Sequence, residues 1–158
     1  MTDRYMDMLK DSLEQKKKLL DEILLYTVQQ KSMVEADKMD WDAFDQTVDD
    51  KAALIEKLEG LDSGFTAVYD RIRENLQKDK DYYKADIQEM QRLIKEVTDR
   101  STSLMAAEER NKALVTARFQ AEKKKFSQQR SATKATNSYY NAMNRINHID
   151  PQLMDKKE

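Results

Sequence analysis

The sequence predicts an all-α protein, an antiparallel three-helix bundle or coiled coil of long helices with a flexible C-terminal tail. Three observations lead there. Charged residues make up 37% of the 158 positions, while Gly occurs twice and Pro once; so few chain breakers leave few tight turns, and the elements must be few and long. Ala, Leu, Lys, Glu, Gln, Arg and Met prevail, residues that lose little side-chain entropy in a helix. The apolar positions recur in alternating steps of three and four, and a hydrophobic share of 39% suits narrow seams between helices better than a thick core.

The first helix is expected over residues 3–36. Met6, Leu9, Leu13, Lys16, Leu20, Ile23, Thr27, Gln30 and Val34 fall on one face of it, a seam that is polar at three places. The stretch Glu35-Ala36-Asp37-Lys38-Met39-Asp40 reads as a connection. Asp40 is placed to cap the next helix by accepting a backbone N–H bond, and Met39 and Phe44 stand at the spacing of a hydrophobic staple. Trp41, in that first turn, is read as a packing residue.

The second helix is expected over 41–76. Phe44, Val48, Lys51, Ile55, Leu58, Asp62, Phe65, Tyr69, Ile72 and Leu76 keep phase across Gly60 and Gly64, which a loop would have no reason to do. The pattern predicts one helix, with a break at the glycines as the alternative. The third seam is Tyr83, Ile87, Met90, Ile94, Val97, Ser101, Leu104, Glu108, Asn111 and Val115. Continuing the second seam would select Asp86 rather than Ile87, so the phase slips within Gln77-Lys78-Asp79-Lys80-Asp81. That places a turn at 77–81 and a third helix over 81–130, the alternative being one very long rod. Residues 1–130 form the bundle domain; residues 131–158, rich in Ser, Thr, Asn and Ala, form the tail, with too little apolar area to offset chain entropy.

At 1.5 Å per residue the three helices are about 50, 55 and 75 Å long. Packed up-down-up, the third outruns its neighbours by about 20 Å, from near residue 115. Leu104, Val115, Phe119 and Phe126 carry an apolar stripe into that overhang, with Arg118 at its rim. An apolar stripe on an unpaired helix calls for another partner.

Little supports catalysis, and the chain is read as a binding protein rather than an enzyme. With no Cys there is neither a disulfide nor a thiolate metal site, and the one histidine, His148, excludes a pair of His ligands. The two glycines stand apart, so no Gly-rich phosphate loop exists. No metal or cofactor is expected. The longest apolar cluster, Ile23-Leu24-Leu25-Tyr26, is too short to span a bilayer, and Met1-Thr2-Asp3-Arg4 does not open a secretory signal; a cytoplasmic protein is expected, without membrane insertion. Charge is uneven. Residues 1–60 hold nine Lys/Arg against fifteen Asp/Glu, residues 111–158 ten against four. The basic cluster Lys123-Lys124-Lys125 with Arg118 and Arg130 is read as a solvated face, because no nucleic-acid signature accompanies it.

Two stretches, Glu35-Ala36-Asp37-Lys38-Met39-Asp40-Trp41-Asp42-Ala43-Phe44 and Asp50-Lys51-Ala52-Ala53-Leu54-Ile55-Glu56-Lys57-Leu58, resemble the FlgN-type flagellar export chaperones. Leu58-Glu59-Gly60-Leu61-Asp62, Glu108-Glu109-Arg110-Asn111-Lys112-Ala113-Leu114, Ser138-Tyr139-Tyr140-Asn141 and Met154-Asp155-Lys156-Lys157 extend the resemblance over most of the chain. It implies a type III export chaperone of the bacterial cytosol. Such a protein binds the terminal helices of hook–filament junction proteins and hands them to the cytoplasmic domain of the export gate. It further implies client binding by the C-terminal half of the third helix. The matching block supplies Asn111 and Leu114; Leu104, Val115, Arg118 and Phe119 join them from the stripe and its rim. Tyr139 and Tyr140 match a tail motif and are candidates for gate contact. The alternative is a generic coiled-coil scaffold or adaptor, marked by a tight homo-oligomer without a client.

Overall fold

A computed structural model describes residues 2–123. Three long helices make up nearly all of this span: α1 (Thr2–Glu35), α2 (Trp41–Lys78) and α3 (Lys84–Ala121). The three-helix architecture is as the periodicity predicts. The α1 seam is buried at every predicted position, its polar members Lys16, Thr27 and Gln30 included.

Cross-helix pairs fix the topology. Thr2 meets Asn75, Lys16 meets Asp62 and Gln30 meets Thr47, so α1 and α2 run antiparallel. Lys10 pairs with Asp86, Lys17 with Glu96 and Asp21 with Arg100, so α1 and α3 run parallel, and the bundle is up-down-up. One continuous core, from Met6 and Leu76 at one end to Val34, Trp41 and Val115 at the other, runs along its axis.

The first connection, residues 36–40, ends as expected: Asp40 has extended backbone and its carboxylate accepts the Ala43 N–H at 3.0 Å. Met39 is half-buried against the core. α2 passes through Gly60 and Gly64 without interruption, and neither glycine has positive φ. The break before α3 falls at residues 79–83, slightly later than the expected 77–81. The Asp79 amide donates to the Asn75 carbonyl and the Tyr83 amide to that of Asp79. These helix-spaced bonds carry α2 on to Lys78 and delay the start of α3 to Lys84. α3 ends at Ala121, where the Glu122 amide caps it on the Arg118 and Gln120 carbonyls, short of the expected end at 130; residues 124–130 and the tail at 131–158 fall outside the described residues.

Candidate functional site

The described part of the expected overhang of α3, residues 115–123, does not stand free, and Phe126 lies outside the described residues. Because Lys10 pairs with Asp86 and Arg118 reaches the Val34 carbonyl, α3 starts above the foot of α1, and its last turn lies level with the end of α1. There the first connection and the Trp41 indole cover it. Sequence lengths alone assign no volume to a five-residue connection or to one indole, and this is why the overhang looked unpartnered. Phe119 packs edge-on against Trp41 with ring centroids 5.6 Å apart, and Trp41 Nε1–H donates to Glu122 Oε2 at 2.8 Å.

Arg118, expected at a solvated rim, instead closes the end of α1. Its guanidinium donates to the carbonyls of Val34 (3.3 Å), Ala36 (2.7 Å) and Asp37 (2.8 Å), and Glu122 holds it from the same helix. The last turn of α1 has no basic residue of its own. Arg118 therefore supplies, from another helix, the cation that orphaned C-terminal carbonyls favour.

The other candidate client residues are likewise engaged. Leu104, Asn111 and Val115 are buried, and Leu114 and Phe119 are half-buried against the core. From Leu104 to Phe119 the stripe faces the protein's own hairpin, so its apolar area does not by itself call for a partner. Tyr139 and Tyr140 lie outside the described residues.

What the stripe contains is a polar layer across the bundle. Lys51 and Glu108 have fully buried side chains 2.6 Å apart. The Lys51 ammonium also donates to Gln30 Oε1 at 2.7 Å, and Gln30 Nε2–H donates to the Thr47 hydroxyl at 2.8 Å. Thr47 passes its own proton to the Phe44 carbonyl at 2.5 Å. The Thr27 hydroxyl shares one proton between the Ile23 carbonyl, at 2.9 Å, and the Glu108 carboxylate. Asn111 Nδ2–H closes the layer on the Thr27 carbonyl at 2.7 Å. Burial pushes the Lys51 ammonium down from 10.5 to about 8, although Glu108 pulls it back up. A lysine at that value suits nucleophilic chemistry, but this amine is enclosed by three helices and already hydrogen-bonded, so its work is to hold them together.

A second charged layer joins α1 to α2, where Lys16 Nζ meets Asp62 Oδ1 at 2.7 Å with both side chains buried. Beside it Ser12, Leu61, Phe65 and Val97 help line a cavity of about 10 Å³, room for about one water. Among the described residues no group of three or more acids and histidines is arranged to hold a metal, and no helix is long and apolar enough to cross a membrane. The sequence had already placed most of the layer's residues on the seams. It did not show that they would meet at one level, since the stagger between helices is a tertiary quantity, and Thr47, just off the seam, gave no signal. Comparison with protein-family models, with curated proteins and with solved structures yields no match.

Proposed function

We propose that the chain is a cytosolic export chaperone of the FlgN type, binding amphipathic terminal helices of hook–filament junction proteins and passing them to the export gate. The observation that carries the reading is the run of family-like motifs in family order. They extend from the connection at Glu35-Ala36-Asp37-Lys38 through Glu108-Glu109-Arg110-Asn111 in α3 to Ser138-Tyr139-Tyr140-Asn141. Long amphipathic helices are also the scaffold on which a client helix can be held by its apolar face. The client site proposed is the C-terminal half of α3, and the reading makes the protein a binding protein rather than an enzyme.

Leu114 is the residue on which to test it. It lies at the edge of the core, half-buried, and burial by a client of the part still exposed would contribute about 0.5–1 kcal/mol. Calorimetric titration with a junction-protein terminal fragment should give saturable heat. Leu114→Ser should weaken binding by about threefold or more and lower the melting temperature far less than Val115→Ala with Phe119→Ala. No heat with any such fragment, together with a tight homo-oligomer, would reject the reading and favour a coiled-coil scaffold or adaptor.

A further inference from the structure

The two halves of α3 are held to the hairpin by different chemistry. From 87 to 97 the seam is Ile87, Met90, Ile94 and Val97, apolar throughout, with Leu93 buried beside it. From 101 to 115 it is Ser101, Leu104, Glu108, Asn111 and Val115, all buried, and three of these are polar. Beyond that come Arg118 on the carbonyls of residues 34–37 and Glu122 on Trp41. Water can replace each of these polar contacts when the segment leaves, whereas nothing replaces the burial of Met90, Leu93 or Ile94. A buried ion pair adds little net stability because both charges were desolvated to form it. The covalent tie between α3 and the hairpin, residues 79–83, lies at the opposite end of the bundle.

We propose that residues 101–121 of α3 form a detachable arm that undocks from the α1–α2 hairpin as one unit while residues 84–97 stay packed. Undocking uncovers Leu104, Val115 and Phe119 on the arm, and Trp41, Phe44 and Val48 at the matching end of the hairpin. It also frees Lys51 from Glu108. A foreign helix taking the arm's place must offer a carboxylate at that level, or leave a buried ammonium without its counter-ion. The closed protein therefore keeps in reserve an apolar groove with one built-in acidic requirement. This device stands or falls without the chaperone reading, since it is measured on the protein alone.

Native-state hydrogen exchange on the full chain tests it. Amides 104–115 should share a single opening constant and a single shallow denaturant dependence. They should exchange at least tenfold faster than amides 87–97. A smooth gradient rising toward 121 is end fraying, and uniform protection along α3 is global unfolding only; either overturns the proposal. The variant Lys51→Met with Glu108→Leu removes the charges that ease release, so exchange at 104–115 should slow at least tenfold. Unchanged or faster exchange at 104–115 in that variant would also overturn it. The wild-type comparison decides even if that variant fails to fold. Trp41, the single tryptophan of the chain, gives an independent reading. Its emission should change at lower urea than the far-UV ellipticity, and coincident transitions would refute a separate arm.

Discussion

Replacing Lys51 by Met tests the central layer most severely. The side chain is wholly enclosed, and so is that of Glu108. Without the ammonium, Glu108 Oε1 keeps only the shared Thr27 proton, Glu108 Oε2 has no hydrogen-bond partner among the described residues, and Gln30 Oε1 loses its 2.7 Å donor. Breaking a buried pair by removing one member costs about 3–5 kcal/mol, because a charge stays behind in low dielectric. For a chain of this size that lowers the melting temperature by roughly 6–20 °C. Removing both charges, with Lys51→Met and Glu108→Leu together, should restore the wild-type value or exceed it by about 1–4 kcal/mol. Thermal and urea melts of the wild type, the two single variants and the double variant form a complete cycle, read by far-UV circular dichroism. A Lys51→Met protein melting within about 2 °C of wild type would refute the claim that this charge is desolvated and paired.

The same layer gives an alkaline signature. Lys51 has a folded pKa of about 8 against an ordinary 10.5; between those values the unfolded chain holds a proton that the folded chain has released. Stability from this group therefore rises with pH through that window, by on the order of 3 kcal/mol at most. Urea melts at pH 8 and pH 10 should show the rise in wild type but not in Lys51→Met, and identical slopes would remove the explanation. At Gly60 and Gly64 an added Cβ would meet nothing within 4 Å, and both sit inside α2 with ordinary helical backbone. Ala at either should stabilise by about 0.4–1 kcal/mol, a rise of a few degrees in a melt; a fall would mean that the helix needs to bend there.

The seams were legible because a 3.6-residue period is a property of each helix alone. Met6 through Val34 and Phe44 through Leu76 could be assigned from spacing, and the N-cap at Asp40 from its place before an apolar run. The break before α3 could be placed only approximately, since a polar stretch free of Gly and Pro can keep helical hydrogen bonds for several residues, as Asp79 and Tyr83 do. Relative stagger was beyond reach. It depends on which layer of one helix meets which layer of the next, and it decided whether Val115 and Phe119 faced solvent or the protein's own core. Arg118 was misplaced for a related reason: nothing in a charge pattern says that a guanidinium will reach the open carbonyls of a different helix.

Why the bundle carries charges on its axis follows from the registers that they forbid. Lys16 faces Asp62, and Lys51 faces Gln30 and Glu108. Slide α2 by one heptad along α1, and Asp62 comes level with Leu9 or Ile23 while Lys16 comes level with Ile55 or Tyr69. The same slide carries Lys51 toward Ile23, or past the end of α1 to Asp37, and takes it from Glu108. Each slip thus strands at least three charges among apolar neighbours at a cost of several kcal/mol apiece. An all-apolar seam would lose little by the same slip, because alternating Leu, Ile and Val layers are nearly equivalent. The charged layers therefore give up some stability and gain a single register. Replacing all four, with Lys16→Leu, Asp62→Leu, Lys51→Met and Glu108→Leu, should raise the melting temperature above that of wild type. Its amide spectrum should then show more than one set of peaks, as different staggers coexist. A quadruple variant that melts higher and still gives one sharp set of peaks would show that shape complementarity alone selects the register, and this account of the buried charges would be wrong.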